Sequence, residues 1–125
     1  MNIKFFLSFK AIVSLGFGII MLGVPTIFLP YYGVQLSPIG IVFAQWFGAL
    51  NVGVGLICWF TSKADRSALR QSILLSLVIA DTIGFFVALS AQLQGLSNML
   101  GWSNVALWLF FALGLCYFRF IKKAD

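Results

Sequence analysis

The chain contains no histidine and no glutamate, and acid enters it only as three aspartates, Asp65, Asp81 and Asp125. The missing imidazole excludes histidine general acid–base catalysis, haem ligation through histidine and most zinc sites. The two cysteines, Cys58 and Cys116, stand far apart with no C-x-x-C, which argues against a disulfide framework or a dithiol redox centre. Charged residues make up only 9% of the 125 positions. The apolar share is 62%, and the mean hydropathy is +1.05. A water-soluble domain of this size leaves too much surface exposed to hide that many apolar side chains. The chain is therefore read as one domain surrounded by lipid.

What charge there is falls in short clusters. Eight Lys and Arg give a net charge of +5. They interrupt apolar runs and form no single basic face of the kind phosphate recognition needs, so nucleic acid is not an expected partner. A bilayer core takes about 20 predominantly apolar residues per helix. Four stretches meet that length: 10–29, 37–60, 68–91 and 102–120. The expected fold is an all-α bundle of four transmembrane helices spanning residues 1–125.

The breaks between spans have local causes. Pro25 and Pro30 bracket "PTIFLPYYG", where proline removes a donor and disfavours helix in the residue before it. A short interfacial turn or half-helix is expected there. Ser37–Pro38 combines an N-cap with proline at the first helical position. "SKADRSALR" forms the polar middle link, and "LQGLSNMLGWS" separates the last two spans.

The basic residues then set an orientation. Lys4 and Lys10 precede the first span, and Lys63, Arg66 and Arg70 occupy the middle link. Arg119, Lys122 and Lys123 follow the last span, while links 25–36 and 95–101 hold no Lys or Arg. The positive-inside rule places both termini and the middle link of this multi-pass chain in the cytoplasm. Tyr31, Tyr32 and Trp102 fall near the outer interface and Trp59 and Tyr117 near the inner one, where amphipathic rings settle. "GVPT" is a poor leader-cleavage site, so the first helix is expected to stay uncleaved.

Small residues mark the expected packing seams, since close backbone approach drives helix association in lipid. Ser76, Ala80, Gly84 and Ala88 form one stripe in the third span, each four residues from the last. Ala44, Gly48, Asn51 and Gly55 form another in the second span. Asp81 borders the first stripe and lies about 16 Å beyond Arg70, while Asn51 lies about 14 Å from the same side. The two are expected to hydrogen-bond across adjacent helices.

An unpaired charge at mid-bilayer costs at least about 2.5–3.5 kcal/mol. With no cation counted at that depth, Asp81 is expected to hold its proton near neutrality. Gln45, about 9 Å nearer the outer face, adds a second polar rung or bonds to a neighbouring backbone. Ser76 and Thr82 are expected to return their hydroxyls to their own helix.

"AQWFGALNVGVGLICWFTSK" and "NMLGWSNVALWLFFALGLCYF" resemble small four-span bacterial membrane proteins of the DoxX-like grouping and its relatives of unknown function. The resemblance covers most of the chain, rests on small and aromatic residues, and implies a four-helix bundle with both ends inside. It implies no activity. Relatives of that type carry arginine where this chain has Gln45, so that charge is absent here.

Two other four-span types fit less well. Small multidrug exporters use a glutamate in the first helix, and this chain has none. Fluoride channels suggest Asn51 and Phe85–Phe86, but their Thr-Phe-Ser break is missing.

The composition therefore points to a non-enzymatic accessory or scaffolding subunit. Its expected partners are membrane lipids and either its own copies or other membrane subunits. No cofactor or metal is expected. The alternatives are a small transporter or channel built around Asp81, or a binder of a lipophilic molecule (a quinone, carotenoid or lipid) between the helices.

Overall fold

Four helices are long and apolar enough to cross a membrane, and they form an all-α bundle in the computed structural model, which describes residues 2–122. This is a multi-pass membrane protein. Helix α1 covers Ile3–Gly23, with Asn2 as N-cap accepting from the Phe5 amide at 2.8 Å. The expected interfacial segment follows as a single helical turn, α2 (Pro25–Phe28), running into a 3₁₀ turn over Leu29–Tyr32. Helix α3 (Pro38–Ser62) starts where Ser37 accepts from the Gly40 amide at 3.1 Å and proline takes the first position. Ser67 caps α4 (Ala68–Leu93) by accepting from the Arg70 amide. Helix α5 (Gly101–Cys116) widens into a π-helical turn over Tyr117–Ile121.

The first span differs from its sequence-based limits. The chain is already helical at Ile3, so Lys10 lies seven residues inside α1, about 10 Å from its start, and is not a flanking charge. The helix then ends at Gly23, before the prolines. Apolar Phe5 and Phe6 are good enough lipid and core residues to extend the span outward past Lys4. Lys123, counted with the charges after the last span, lies outside the described residues.

The bundle is built from two antiparallel hairpins: α1 packs chiefly on α3, and α4 on α5. Glycine sets how closely each closes. Gly18 and Gly48 face each other, so a Cβ at Gly48 would stand 2.8 Å from the Gly18 carbonyl oxygen. Gly55 receives Leu15 in the same way, and Gly84 receives the Trp108 ring. The two seams read from sequence are thus not partners. Gly48 and Gly55 of α3 close on α1, and Gly84 of α4 closes on α5.

Ser76 and Ala80 are exposed, so the α4 stripe is interrupted, whereas Ala44, Gly48, Asn51 and Gly55 of α3 are all buried or half-buried. The buried face of α4 is instead Arg70, Leu74, Leu77, Asp81 and Ala88, spaced four, three, four and seven. Ser76 and Thr82 return their hydroxyls to the carbonyls of Ser72 and Val78, at 2.9 and 2.7 Å.

The hairpins meet in a packed half and diverge in a hollow one. The packed half surrounds the end where α1 begins, the π-helical turn finishes and the middle link lies, the basic end. There Ile3, Phe6, Leu7 and Ala11 of α1 join Cys58, Leu74, Leu77 and residues of α5 in one core. Phe6 stacks with Phe110, Phe111 and Phe118 at centroid separations of 5.4–5.9 Å, joining the first hairpin to the second. Such ring pairs add about 0.5–1.5 kcal/mol beyond their burial.

At the opposite end the two links clasp each other. The Asn98 amide donates to the Tyr32 carbonyl at 2.8 Å and its side-chain Nδ2 to the Tyr31 carbonyl at 2.9 Å. Ser97 donates its hydroxyl to the Tyr32 carbonyl at 3.1 Å.

Candidate functional site

Between the packed core and the clasp lies a cavity of about 320 Å³ to which all four long helices contribute. From α1 the wall takes Lys10, Val13, Ser14, Phe17 and Met21, one face at helical spacing. Asn104, Leu107, Trp108 and Phe111 do the same from α5. Phe47 and Asn51 come from α3, and Ala88, Ala91 and Gln92 from α4. Tyr32 and Ser97 of the clasped links close the far end. Along α1, Lys10 to Met21 spans about 16 Å, roughly half of a bilayer core about 30 Å thick.

At the floor stands Lys10, one half of an ion pair whose other member, Asp81, lies behind the wall. Lys10 Nζ lies 3.0 Å from Asp81 Oδ1, to which it donates, and 2.9 Å from Oδ2. Both residues are 3% exposed. The same ammonium stands 4.5 Å from the centroid of the Phe111 ring, attracted by the negative face of its π system. One side chain from α1 therefore ties α4 and α5 together at the level where the core gives way to the cavity.

This corrects the expected pairing of Asp81 with Asn51. Asp81 is partnered by Lys10, while Asn51 stands in the cavity wall. The reason is the hairpin pairing: α3 turns its seam to α1, so Asn51 and Asp81 do not meet across one interface. The expectation that Asp81 keeps its proton rested on the absence of a cation at its depth. Lys10 removes that premise. Measured from Arg70 and from Ile3, Asp81 is about 16 Å deep and Lys10 about 10 Å, and the four-carbon lysine stem spans the difference.

Gln45 donates to the Leu22 carbonyl at 3.4 Å, one of the two roles its position suggested. Cys58 is fully buried and Cys116 half-buried, and both are free thiols. Among the described residues, no group of three or more acids, cysteines or histidines could hold a metal ion.

The sequence reading missed Lys10 and the cavity face of α1. The signal was present: a lysine followed by Val13, Ser14, Phe17 and Met21 at three- and four-residue spacing. Assigning Lys10 to the membrane edge hid it.

Chemically, the arrangement offers an apolar chamber with a few donors. Lys10 and Ser14 lie toward the floor, Asn51 is level with Gly18, about 12 Å beyond Lys10 along α1, and Gln92 donates to the Asn98 carbonyl in the clasp. That is the pattern of small-molecule sites, which are mostly apolar with a few placed polar groups and about 300–1,000 Å³ in volume. Compared with known proteins, the chain matches no protein-family model, no curated protein and no solved structure. The likeness to the DoxX-like grouping rests on the quoted residues alone.

Proposed function

We propose that this protein binds a small lipophilic molecule inside the bilayer, in the cavity between its two hairpins, and performs no catalysis. The single observation that carries this reading is the chamber itself. Four helices wall it, Lys10, held by Asp81, stands at its floor, and two hydrogen-bonded links cap it. Helices in lipid close on one another wherever small residues allow, and between the hairpins they do so at the basic end, where Phe6 packs on Gly114, and diverge beyond it. Phe17, Phe47, Trp108 and Phe111 give the wall large apolar faces suited to an alkyl or ring system.

The same reading places the protein in the bacterial cytoplasmic membrane with the basic end inward. Lys4, Lys63, Arg66, Arg70, Arg119 and Lys122 all gather there, and the clasped links carry no Lys or Arg. An accessory or scaffolding role, as a homo-oligomer or beside other subunits, draws on the exposed apolar surface of the helices. That surface suits lipid equally well and favours no particular partner.

The test is native mass spectrometry of the gently extracted full chain. The expected spectrum shows a discrete added mass per chain that survives removal of loosely held lipid. The added mass disappears in Ala88→Trp, which fills the chamber from α4. A bare chain mass under conditions that retain tightly bound lipids overturns the reading.

A further inference from the structure

We propose that the molecule this cavity takes is uncharged and carries a hydrogen-bond acceptor, a carbonyl or ester oxygen, seated on the Lys10 ammonium. The inference rests on the binding reading above and specifies the ligand's head group.

Charge balance selects the head group. Lys10 and Asp81 cancel each other at the chamber floor, and each is 3% exposed. No other Lys, Arg or Asp among the described residues is part of the wall. A ligand with a charged head would bring an uncompensated charge into surroundings where each ion loses several kcal/mol of hydration. A cation would also face the Lys10 ammonium in the wall, and a carboxylate would compete with Asp81 for that ammonium.

A neutral acceptor meets neither penalty and finds donors waiting. The lysine ammonium has three N–H groups, and the Asp81 carboxylate engages two at most. The Ser14 hydroxyl lies one turn along α1 from Lys10 on the same face. Asn51, whose neighbour Val52 abuts Gly18, stands farther along the wall, beside the ligand's body. An acceptor at the floor leaves the ligand's apolar body running along Phe17, Leu107 and Trp108 toward the clasp.

Three probes with the same alkyl chain separate the possibilities: methyl decanoate, decyl sulfonate and decyltrimethylammonium. Each is added at equal concentration to the full chain in lipid nanodiscs, and occupancy is read by native mass spectrometry. The wild type is expected to prefer the ester over both ions by at least about tenfold, given the desolvation cost of an unpaired buried charge.

In Asp81→Asn the lysine loses its counter-charge, and sulfonate occupancy is expected to rise above that of the ester. The Lys10→Gln/Asp81→Asn pair, neutral again, returns the preference to the ester. If Asp81→Asn fails to fold, the wild-type comparison alone decides. Equal or greater wild-type occupancy by either ion overturns the head-group assignment and leaves the cavity reading standing. Binding of none of the three overturns both.

Discussion

Lys10 and Asp81 hold each other at 2.9 Å across helices of different hairpins, each 3% exposed, at the depth where the aromatic core ends and the chamber begins. Ionisable groups inside a membrane are costly and pair with one another. Here the pairing has a mechanical consequence, because the hairpins have few other close backbone contacts. Phe111, beneath the same ammonium, extends the junction to α5.

Breaking that pair from one side should be severe. Lys10→Met leaves Asp81 buried without its cation, and about 3–5 kcal/mol of stability should be lost. Lys10→Met/Asp81→Leu removes both charges and should recover most of the loss, since well-packed apolar replacements of buried ion pairs are often neutral or better. Unfolding of both variants in mixed micelles checks this. Equal destabilisation by the single and the double change would contradict it.

Within the first hairpin, closeness depends on Gly48. A Cβ there meets the Gly18 carbonyl oxygen at 2.8 Å and the Leu22 amide nitrogen at 2.9 Å, both backbone atoms with nowhere to go. Gly48→Ala should therefore cost about 1–3 kcal/mol as the helices separate. Gly53→Ala on the same helix meets nothing within 4 Å and should be neutral or slightly stabilising. Thermal melting of the two variants side by side tests the contrast.

The clasp bounds one end of the chamber. Gly33 has φ +75°, and its space is bounded by the Asn98 side chain at 3.3 Å. Gly33→Ala should strain the link by about 1–2 kcal/mol. Asn98→Ala removes the bond to the Tyr31 carbonyl and the bond that Asn98 Oδ1 accepts from the Leu100 amide. Both variants should speed amide hydrogen exchange at residue 98 while leaving exchange in the Phe6–Leu7 core unchanged.

The free thiols should differ in reactivity. Cys58 is 0% exposed inside the core shared by both hairpins, whereas Cys116 is half-buried on α5. A small maleimide should label Cys116 first and reach Cys58 only on unfolding. Labelling of single-cysteine variants by mass shift measures this.

The last three spans, the Ser37 cap and the breaks between spans were legible because each follows from local chemistry. Ser37 and Pro38 start α3, Pro25 ends the straight run of α1, and apolar runs of bilayer length lie between. That Asp81 faces inward was legible from its helical sector. Its partner was not, because partner choice depends on which helices pair, and glycines at Gly18, Gly48 and Gly55 specify closeness without naming a neighbour. Counting depth at the backbone also underrated lysine, whose stem reaches about 6 Å farther along the bundle than its Cα. A hollow is harder still to read, because it is defined by where Asn51, Ala88 and Asn104 fail to touch, and periodicity reports only which residues share a face.

The most direct measurement is photo-crosslinking of the wild-type chain with a diazirine-bearing alkyl methyl ester, followed by mapping of the modified peptides. The account predicts labels on Phe17, Asn51, Leu107 and Trp108, which line the chamber. Labels confined to lipid-facing positions such as Ile12, Ile19 and Phe86, all more than half exposed, would contradict it.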